Sequence, residues 1–196
     1  MAIRKIVSVP FWDERPAAEG ELVLRIHTGV KGAMAFGFGS HPTSSACLSI
    51  IAGLYAAGAP RPRRVLDVGC GTGVLGIAAA RLGAEEVLGL DIDPHAVELA
   101  VRNAAANEAA ERCRFSLTSV NDVPGSFDLV VANLPSREVV GSLADPLCAR
   151  AQGGLLLVSG FVQPKSGPVL EALQSRGRVL RTTVEGRLGW CALLLR

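Results

Sequence analysis

The chain has 196 residues, enough for one domain with a full hydrophobic core and too few for two ordinary domains. Hydrophobic residues make up 49% and charged residues 19%, and the formal net charge is +2, so the composition predicts a globular protein without the basic surface that nucleic-acid binding requires. The five cysteines are scattered and form no C-x-x-C pair, which argues against a disulfide framework or a zinc site and favours the reducing cytoplasm.

Residues 1–35 are predicted to form an N-terminal lead-in rather than a separate domain. Leu22, Leu24 and Ile26 occupy alternate positions, which is typical of a half-buried strand. Charged residues stand where a signal peptide would have its apolar core, so we expect no cleaved leader. The uncharged stretch at 42–60 is interrupted by two glycines and falls short of the roughly 20 apolar residues of a membrane span. It therefore predicts a buried helix.

The most informative stretch is 65–76, where a short apolar run turns into glycines and then into a helical pattern. The apolar run predicts a buried strand. Gly69, Gly71 and Gly73 remove side chains from the turn, so that backbone N–H groups can approach a ligand. The N-terminus of the following helix would favour an anionic or carboxylate-bearing group. This stretch therefore predicts a nucleotide-binding turn.

The glycine spacing leaves two classes of cofactor open. The Gly-x-Gly-x-x-Gly motif at 71–76, with Asp91 about twenty residues after its start, also matches the fingerprint of dinucleotide-binding oxidoreductases. Asp67 favours the other class, because a carboxylate before the glycines would repel a pyrophosphate and attract an ammonium group. S-adenosylmethionine carries an ammonium, a sulfonium and a ribose diol, which Asp67, Gly69 and Asp91 suit in that order.

After the glycine turn, strands alternate with helices until the chain ends in a hairpin. Apolar runs predict strands at 87–90, 112–117, 127–132, 155–158, 178–184 and 190–195, and helical patterns span 94–107 and 163–175. In the first of these helices the residues expected to face inward are Val97, Ala100, Val101 and Ala104. Trp12 and Trp190 are expected to anchor the core or an edge of the sheet.

Nearly continuous apolar runs are typical of parallel strands that helices cover on both faces. The last two strands are separated by Glu-Gly-Arg-Leu-Gly, a sequence typical of the turn of a β-hairpin. The sequence therefore predicts an α/β, Rossmann-like fold: a seven-stranded, mostly parallel sheet with a C-terminal antiparallel hairpin and helices on both faces. In such a sheet the ligand lies outside the carboxyl ends of the strands. Gly69, Asp91 and Asn133 all lie at those ends.

Several motifs together resemble one family. The sequence F-G-F-G-S-H-P-T-S at 36–44 resembles the F-G-T-G-T-H-P-T-T loop of the bacterial ribosomal-protein lysine methyltransferases called PrmA. The stretches 65–73, 89–94, 128–134 and 153–160 follow that family's order and spacing. The resemblance implies that 36–196 is a class I S-adenosylmethionine-dependent methyltransferase domain. It also implies S-adenosylhomocysteine as product, amino groups of a protein as acceptors, and a ribosomal protein as partner.

The resemblance implies cofactor contacts at Ser44, Gly69, Asp91 and Asn133, and it implies that Phe36 and Gly37 line the methionine end of the cofactor. The full predicted cofactor-binding set is Phe36, Gly37, Ser44, Asp67, Gly69, Gly71, Asp91, Ile92 and Asn133. We also predict that Asn133 is catalytic, because its side-chain oxygen can orient the acceptor nitrogen. His41 could act as a base. We favour a structural or capping role for it.

Three departures from the family pattern keep other functions open. Only 35 residues precede the loop, so the family's N-terminal docking domain is expected to be missing. Phe38 replaces the threonine of F-G-T-G, and the sequence N-L-P-S at 133–136 replaces N-I-L-A at the acceptor wall. The alternatives are a non-ribosomal protein or a small molecule as acceptor, and a non-catalytic S-adenosylmethionine-binding partner subunit. An NAD(P)-dependent oxidoreductase also stays open.

Overall fold

One mostly parallel, seven-stranded sheet organises the computed structural model within its described residues, 3, 5–29, 39–56, 61–174 and 177–196. Its strands are β3 (Arg64–Val68), β4 (Glu86–Leu90), β5 (Cys113–Ser116), β6 (Leu129–Asn133), β7 (Leu155–Val162), β8 (Val179–Glu185) and β9 (Trp190–Leu195). Their order across the sheet is β5-β4-β3-β6-β7-β9-β8. β3 to β7 run parallel, and β9 runs antiparallel to both β7 and β8. The predicted fold class is confirmed.

The α-helices of the described chain are α1 (Pro42–Leu54), α2 (Val74–Leu82), α3 (Pro94–Ala106), α4 (Ser136–Glu138), α5 (Ala144–Arg150) and α6 (Ser166–Gln174), with a π-helical turn at Val139–Leu143. The sequence did not predict the helical segment between β6 and β7. Its first helix is only one turn long, and the π-helical turn and Pro146 interrupt the regular spacing of apolar residues. None of the helices in the described ranges combines the length and apolar character needed to cross a bilayer.

The hydrophobic core lies on both faces of the sheet, because successive residues of the central strands point to opposite sides. Val65, Leu129 and Val131 pack against α1, α2 and β2 (Glu21–Ile26) on one face. Leu66 and Val130 pack against α5 and α6 on the other. Every residue of β6 is buried, which explains why its sequence is a continuous apolar run.

The N-terminal segment adds a second, two-stranded parallel sheet, in which β1 (Lys5–Pro10) pairs with β2. Leu22, Leu24 and Ile26 of β2 are buried against the core, as their alternation predicted. The division of the chain after residue 35 stays a prediction. The expectation for Trp12 was wrong: it is 68% exposed, because the turn after β1 holds it outside both halves of the core.

The inward face of α3 differs from the prediction in one residue and in its chemistry. Val101 is 51% exposed, so the expectation that it faces inward was wrong. The buried face instead contains Leu99 and the polar residue Asn103, and Asn107 at the C-terminal end of the helix is also buried. The prediction of which side of the helix faces inward relied on apolar side chains alone. It therefore did not count the two buried amide side chains.

Gly154 lies at the start of β7, at the edge of the sheet opposite the carboxyl ends of the strands. A Cβ atom there would collide with the backbone oxygens of Phe127 and Asp128, which are not free to move aside. We therefore expect Gly154→Ala to lower the free energy of unfolding by about 1–3 kcal/mol, as overpacking does, measured by urea denaturation. Gly141→Ala is the control, because nothing lies within 4 Å of its Cβ position. Equal losses in the two variants would contradict this packing argument.

Candidate functional site

The turn after β3 has a backbone that only glycine adopts easily. Gly69, Gly71 and Gly73 have φ angles of +71°, +52° and +79°, and Gly73 is the N-cap of α2. Leu134, which follows the end of β6, lies directly over the turn, and a Cβ at Gly69 would collide with its side chain. There is therefore no room for a side chain at Gly69, and the residue after β6 covers this part of the turn.

Four backbone N–H groups of this turn donate hydrogen bonds within the protein. They are the N–H groups of Gly69 and Cys70 to the Leu90 oxygen at 2.8 and 2.9 Å, of Gly71 to Asp91 Oδ2 at 2.8 Å, and of Gly73 to the Cys70 oxygen at 2.8 Å. The expectation that the N–H groups of this turn approach a ligand was wrong for these four, because each already has an acceptor within the protein. A pyrophosphate needs such donors. These four donors are therefore not available to a pyrophosphate.

Asp67 lies beneath the turn, within β3, and is 1% exposed. Its Oδ2 accepts the N–H of Gly76, in the first turn of α2, at 3.0 Å. Burial raises the pKa of this carboxyl to about 7, and the nearby charge of Asp91 acts in the same direction. This contact joins the strand to the helix. A direct contact between Asp67 and a cofactor stays a prediction.

Asp91 follows the end of β4 and shapes the rim of the site. Its Oδ2 accepts the Gly71 N–H at 2.8 Å, and its Oδ1 accepts the Asp93 N–H at 3.1 Å. Each carboxylate oxygen keeps further acceptor capacity. The next residue, Ile92, is 97% exposed, which puts an apolar side chain beside the carboxylate. This arrangement suits a ribose diol and an adjoining flat ring.

Asn133, at the end of β6, meets Ser44, in the first turn of α1, across 89 residues of sequence. The Asn133 Nδ2 donates to Ser44 Oγ at 3.2 Å. Ser44 is fully buried and Asn133 is 9% exposed. The Asn133 Oδ1 is buried and finds no hydrogen-bond partner in the part of the chain that the structure describes. A buried orphan acceptor is costly, so this oxygen marks the place where a donor from a ligand would bind.

His41 caps helix α1. Its Nδ1 accepts the N–H of Thr43 at 3.3 Å and lies 2.8 Å from Thr43 Oγ1, and the ring stands edge-on to Trp190 at 4.7 Å between centroids. This geometry confirms the interpretation of His41 as a capping residue. The half-buried Trp190 lies beside it at the start of β9, where the hairpin packs against the N-terminal end of α1.

All five cysteines are free thiols. Burial raises the pKa of Cys70, inside the turn, far above its ordinary value, and it raises the pKa values of Cys47 and Cys113 to about 12. Thiols of this kind are unreactive, which agrees with a packing role for Cys70. In the described ranges, histidine, cysteine and acidic side chains form no cluster of three that could hold a metal ion.

The structure brings most of the predicted site residues to one edge of the sheet. Ser44, Gly69, Gly71, Asp91 and Asn133 lie around the carboxyl ends of the neighbouring strands β4, β3 and β6. The predicted residues Phe36 and Gly37 lie outside the described residues. The sequence analysis placed 133–136 at the acceptor wall without predicting that Leu134 covers the glycine turn, and it missed the buried Asn103. An asparagine spaced four residues from another on the inner face of a helix was the available signal.

This sheet order, with its final antiparallel strand and a glycine turn facing an acid at the next strand end, defines a class I methyltransferase fold. The fold is similar to that of magnesium protoporphyrin IX methyltransferase from Synechocystis PCC 6803 with bound S-adenosylmethionine (TM-score 0.62, 23% identity, 76% of this chain and 77% of that chain). The chain belongs to the ribosomal protein L11 methyltransferase (PrmA) family, whose model matches residues 1–196.

Two further relatives support the assignment to this family. The ribosomal protein L11 methyltransferase of Geobacter sp. strain M21 is 47% identical over 175 residues, which cover 88% of this chain and 56% of that protein. The crystal structure of the ribosomal protein L11 methylase from Lactobacillus delbrueckii subsp. bulgaricus has a TM-score of 0.81 at 28% identity, and the match covers 100% of this chain and 95% of that chain. The chain spans little more than half the length of the curated relatives it matches.

The raised pKa of Asp67 predicts a pH-dependent stability. Between about pH 4, the ordinary value, and about pH 7 the folded chain holds a proton that the unfolded chain has released. This group therefore stabilises the fold most at low pH, and its contribution falls by at most about 1.4 kcal/mol per pH unit as the pH rises to about 7. Asp67→Asn keeps an acceptor for the Gly76 N–H and does not titrate.

We expect urea denaturation to show the stability of Asp67→Asn, relative to the unchanged chain, increasing from about pH 4 to about pH 7 and staying level above that. Glu111→Gln removes a carboxyl at an exposed position and serves as the control. Its difference from the unchanged chain should vary much less with pH. A difference for Asp67→Asn that is the same at every pH would contradict the raised pKa.

Proposed function

We propose that this chain is an S-adenosylmethionine-dependent methyltransferase that methylates amino groups of a protein, with ribosomal protein L11 as its acceptor. One observation carries the proposal. The unpartnered buried oxygen of Asn133 lies beside a glycine turn that two acidic residues hold in place, Asp67 from β3 beneath it and Asp91 from the end of β4. Membership in the PrmA family, and the names of relatives such as the Geobacter ribosomal protein L11 methyltransferase, support the choice of acceptor.

The residues at this edge of the sheet fit the proposed cofactor. The Asp91 carboxylate would accept the hydroxyls of its ribose, and the exposed Ile92 would pack against its adenine. The backbone at Gly69 would lie along its amino-acid portion, and Asp67 would attract positive charge from below. When bound, the cofactor would supply a methyl group on a positively charged sulfur, which an in-line nucleophile can remove.

The acidic surroundings also favour this cofactor over a dinucleotide. Four N–H groups of the turn are already used by protein acceptors, so they are not available to a pyrophosphate. The Asp91 carboxylate would repel its negative charges. An S-adenosylmethionine molecule brings no phosphate and carries two positive centres at neutral pH. The NAD(P)-dependent alternative is therefore disfavoured on the chemistry of the site.

Asn133 would orient the acceptor amine. Its Oδ1 would accept one N–H of a neutral amine and thereby aim the nitrogen lone pair at the transferable methyl group. The bond from Asn133 Nδ2 to Ser44 Oγ holds the amide in this orientation. A lysine amine must lose a proton before it can attack, and burial favours its neutral form. Leu134 would help to exclude water from the same space.

Asn133→Ala removes the proposed acceptor oxygen, whereas Asn133→Asp keeps an oxygen that can accept the amine N–H. We expect the alanine variant to bind S-adenosylhomocysteine within about threefold of the unchanged chain, while its rate of methyl transfer falls by about 100-fold. The aspartate variant should retain more of the rate than the alanine variant. Binding is measured by isothermal titration and rate by transfer of tritium-labelled methyl groups. An alanine variant that binds the product and transfers at the normal rate would overturn the role of Asn133.

The experiment that tests the proposed function is transfer of labelled methyl groups into purified ribosomal protein L11 and into a cell extract, with the labelled species identified by mass. Label on amino groups of L11 supports the proposal. Label in another protein or only in small molecules would overturn the acceptor. Binding of S-adenosylmethionine without transfer to any acceptor would instead favour a non-catalytic partner subunit.

A further inference from the structure

Two buried asparagines, Asn103 in α3 and Asn107 directly after it, bind the backbone of Arg25 in β2 and of His27 directly after it through paired hydrogen bonds. The Asn107 Oδ1 accepts the Arg25 N–H at 2.8 Å, and its Nδ2 donates to the Arg25 oxygen at 2.7 Å. The Asn103 Oδ1 accepts the His27 N–H at 2.7 Å, and its Nδ2 donates to the His27 oxygen at 3.1 Å. Each amide therefore pairs with a backbone residue as a neighbouring strand would.

The spacing of the two amides matches the spacing of a strand. Residues four apart in a helix are separated by about 6 Å along its axis. Residues two apart in a strand are separated by about 6.6 Å. Asn103 and Asn107 can therefore pair with His27 and Arg25 at the same time. α3 in this way covers the edge of β2 that would otherwise stay unpaired.

Asn103 makes one contact that Asn107 does not. Its Nδ2 also donates to the Thr72 oxygen, in the glycine turn, at 2.9 Å. The second donor of Asn107 goes to the Asn103 oxygen at 2.8 Å, within its own helix. Asn103 thus uses both N–H groups and its oxygen to join α3, β2 and the turn. It is fully buried, as is Thr72, so water cannot readily replace these bonds.

We propose that Asn103 is a positioning residue that sets the glycine turn for the cofactor by tying Thr72 to His27 at the end of strand β2. The Thr72 oxygen belongs to the peptide group that leads into Gly73, whose left-handed backbone starts α2. Fixing that peptide fixes the path of the turn past Gly69 and Gly71. The inference rests on the proposed cofactor site, and it makes the N-terminal strand pair part of that site's support rather than a separate appendage.

The two asparagines provide a matched pair of variants. Asn103→Ala removes the bonds to β2 and to the turn, whereas Asn107→Ala removes bonds to β2 and to α3 but leaves the turn untouched. We expect both variants to lower the melting temperature by similar amounts. We expect the Kd for S-adenosylhomocysteine to rise about tenfold in Asn103→Ala and less than twofold in Asn107→Ala, measured by isothermal titration at a temperature where both are folded.

Amide hydrogen exchange on the unchanged chain gives a second readout if Asn103→Ala does not fold. The His27 N–H is held by the amide that also holds the turn, and the Arg25 N–H is held by Asn107. Adding S-adenosylhomocysteine should therefore slow exchange at His27 more than at Arg25. Equal effects at both positions, or equal Kd values in the two variants, would overturn the inference. If the unchanged chain does not bind S-adenosylhomocysteine, the proposed cofactor site itself is wrong.

Discussion

The hydrogen bonds that occupy the glycine turn are the constraint on which the rest of the site depends. The chain folds back at Gly69 because the Leu90 oxygen and the Asp91 carboxylate hold consecutive N–H groups of the turn. This uses donors that a phosphate-binding loop would keep for its ligand. The same bonds fix the end of β4 against the end of β3. The Asp91 carboxylate and the Leu90 carbonyl oxygen therefore define the conformation of a turn that looks generic in sequence.

The chemistry of the site follows from that surface. Asp67 supports the turn from below and Asp91 supports it from the side, and the Asp91 carboxylate favours positive charge where the backbone bends. Asn133 supplies an oriented acceptor at the neighbouring strand end, and Ser44 holds its amide in place. Four segments that are distant in sequence thus meet at one edge of the sheet. Each is fixed by hydrogen bonds within the protein, so the described part of the site is formed before any ligand arrives.

The hydrophobic pattern predicted the sheet, because buried parallel strands have continuous apolar sequences. The last two apolar runs are joined by a sequence typical of a β-hairpin turn. The hydrophobic pattern failed where a helix is irregular or where a buried side chain is polar. The helical segment after β6 was not predicted because the π-helical turn and Pro146 interrupt its apolar pattern. The inner face of α3 was predicted incompletely because it includes the polar Asn103. The glycines indicated a ligand-binding turn, but their spacing does not predict which acceptors the N–H groups of the turn bind. That depends on Leu90, twenty-one residues away from Gly69, and only the fold brings the two together.

The most direct test of this account compares two cofactors on the same protein. Isothermal titration with S-adenosylmethionine and with NAD, at equal concentrations and at neutral pH, measures which chemistry the turn accepts. We predict saturable binding of S-adenosylmethionine at one site and binding of NAD at least about 100-fold weaker, since the Asp91 carboxylate would repel a pyrophosphate and four N–H groups of the turn already have protein acceptors. NAD binding as tight as that of S-adenosylmethionine would contradict it.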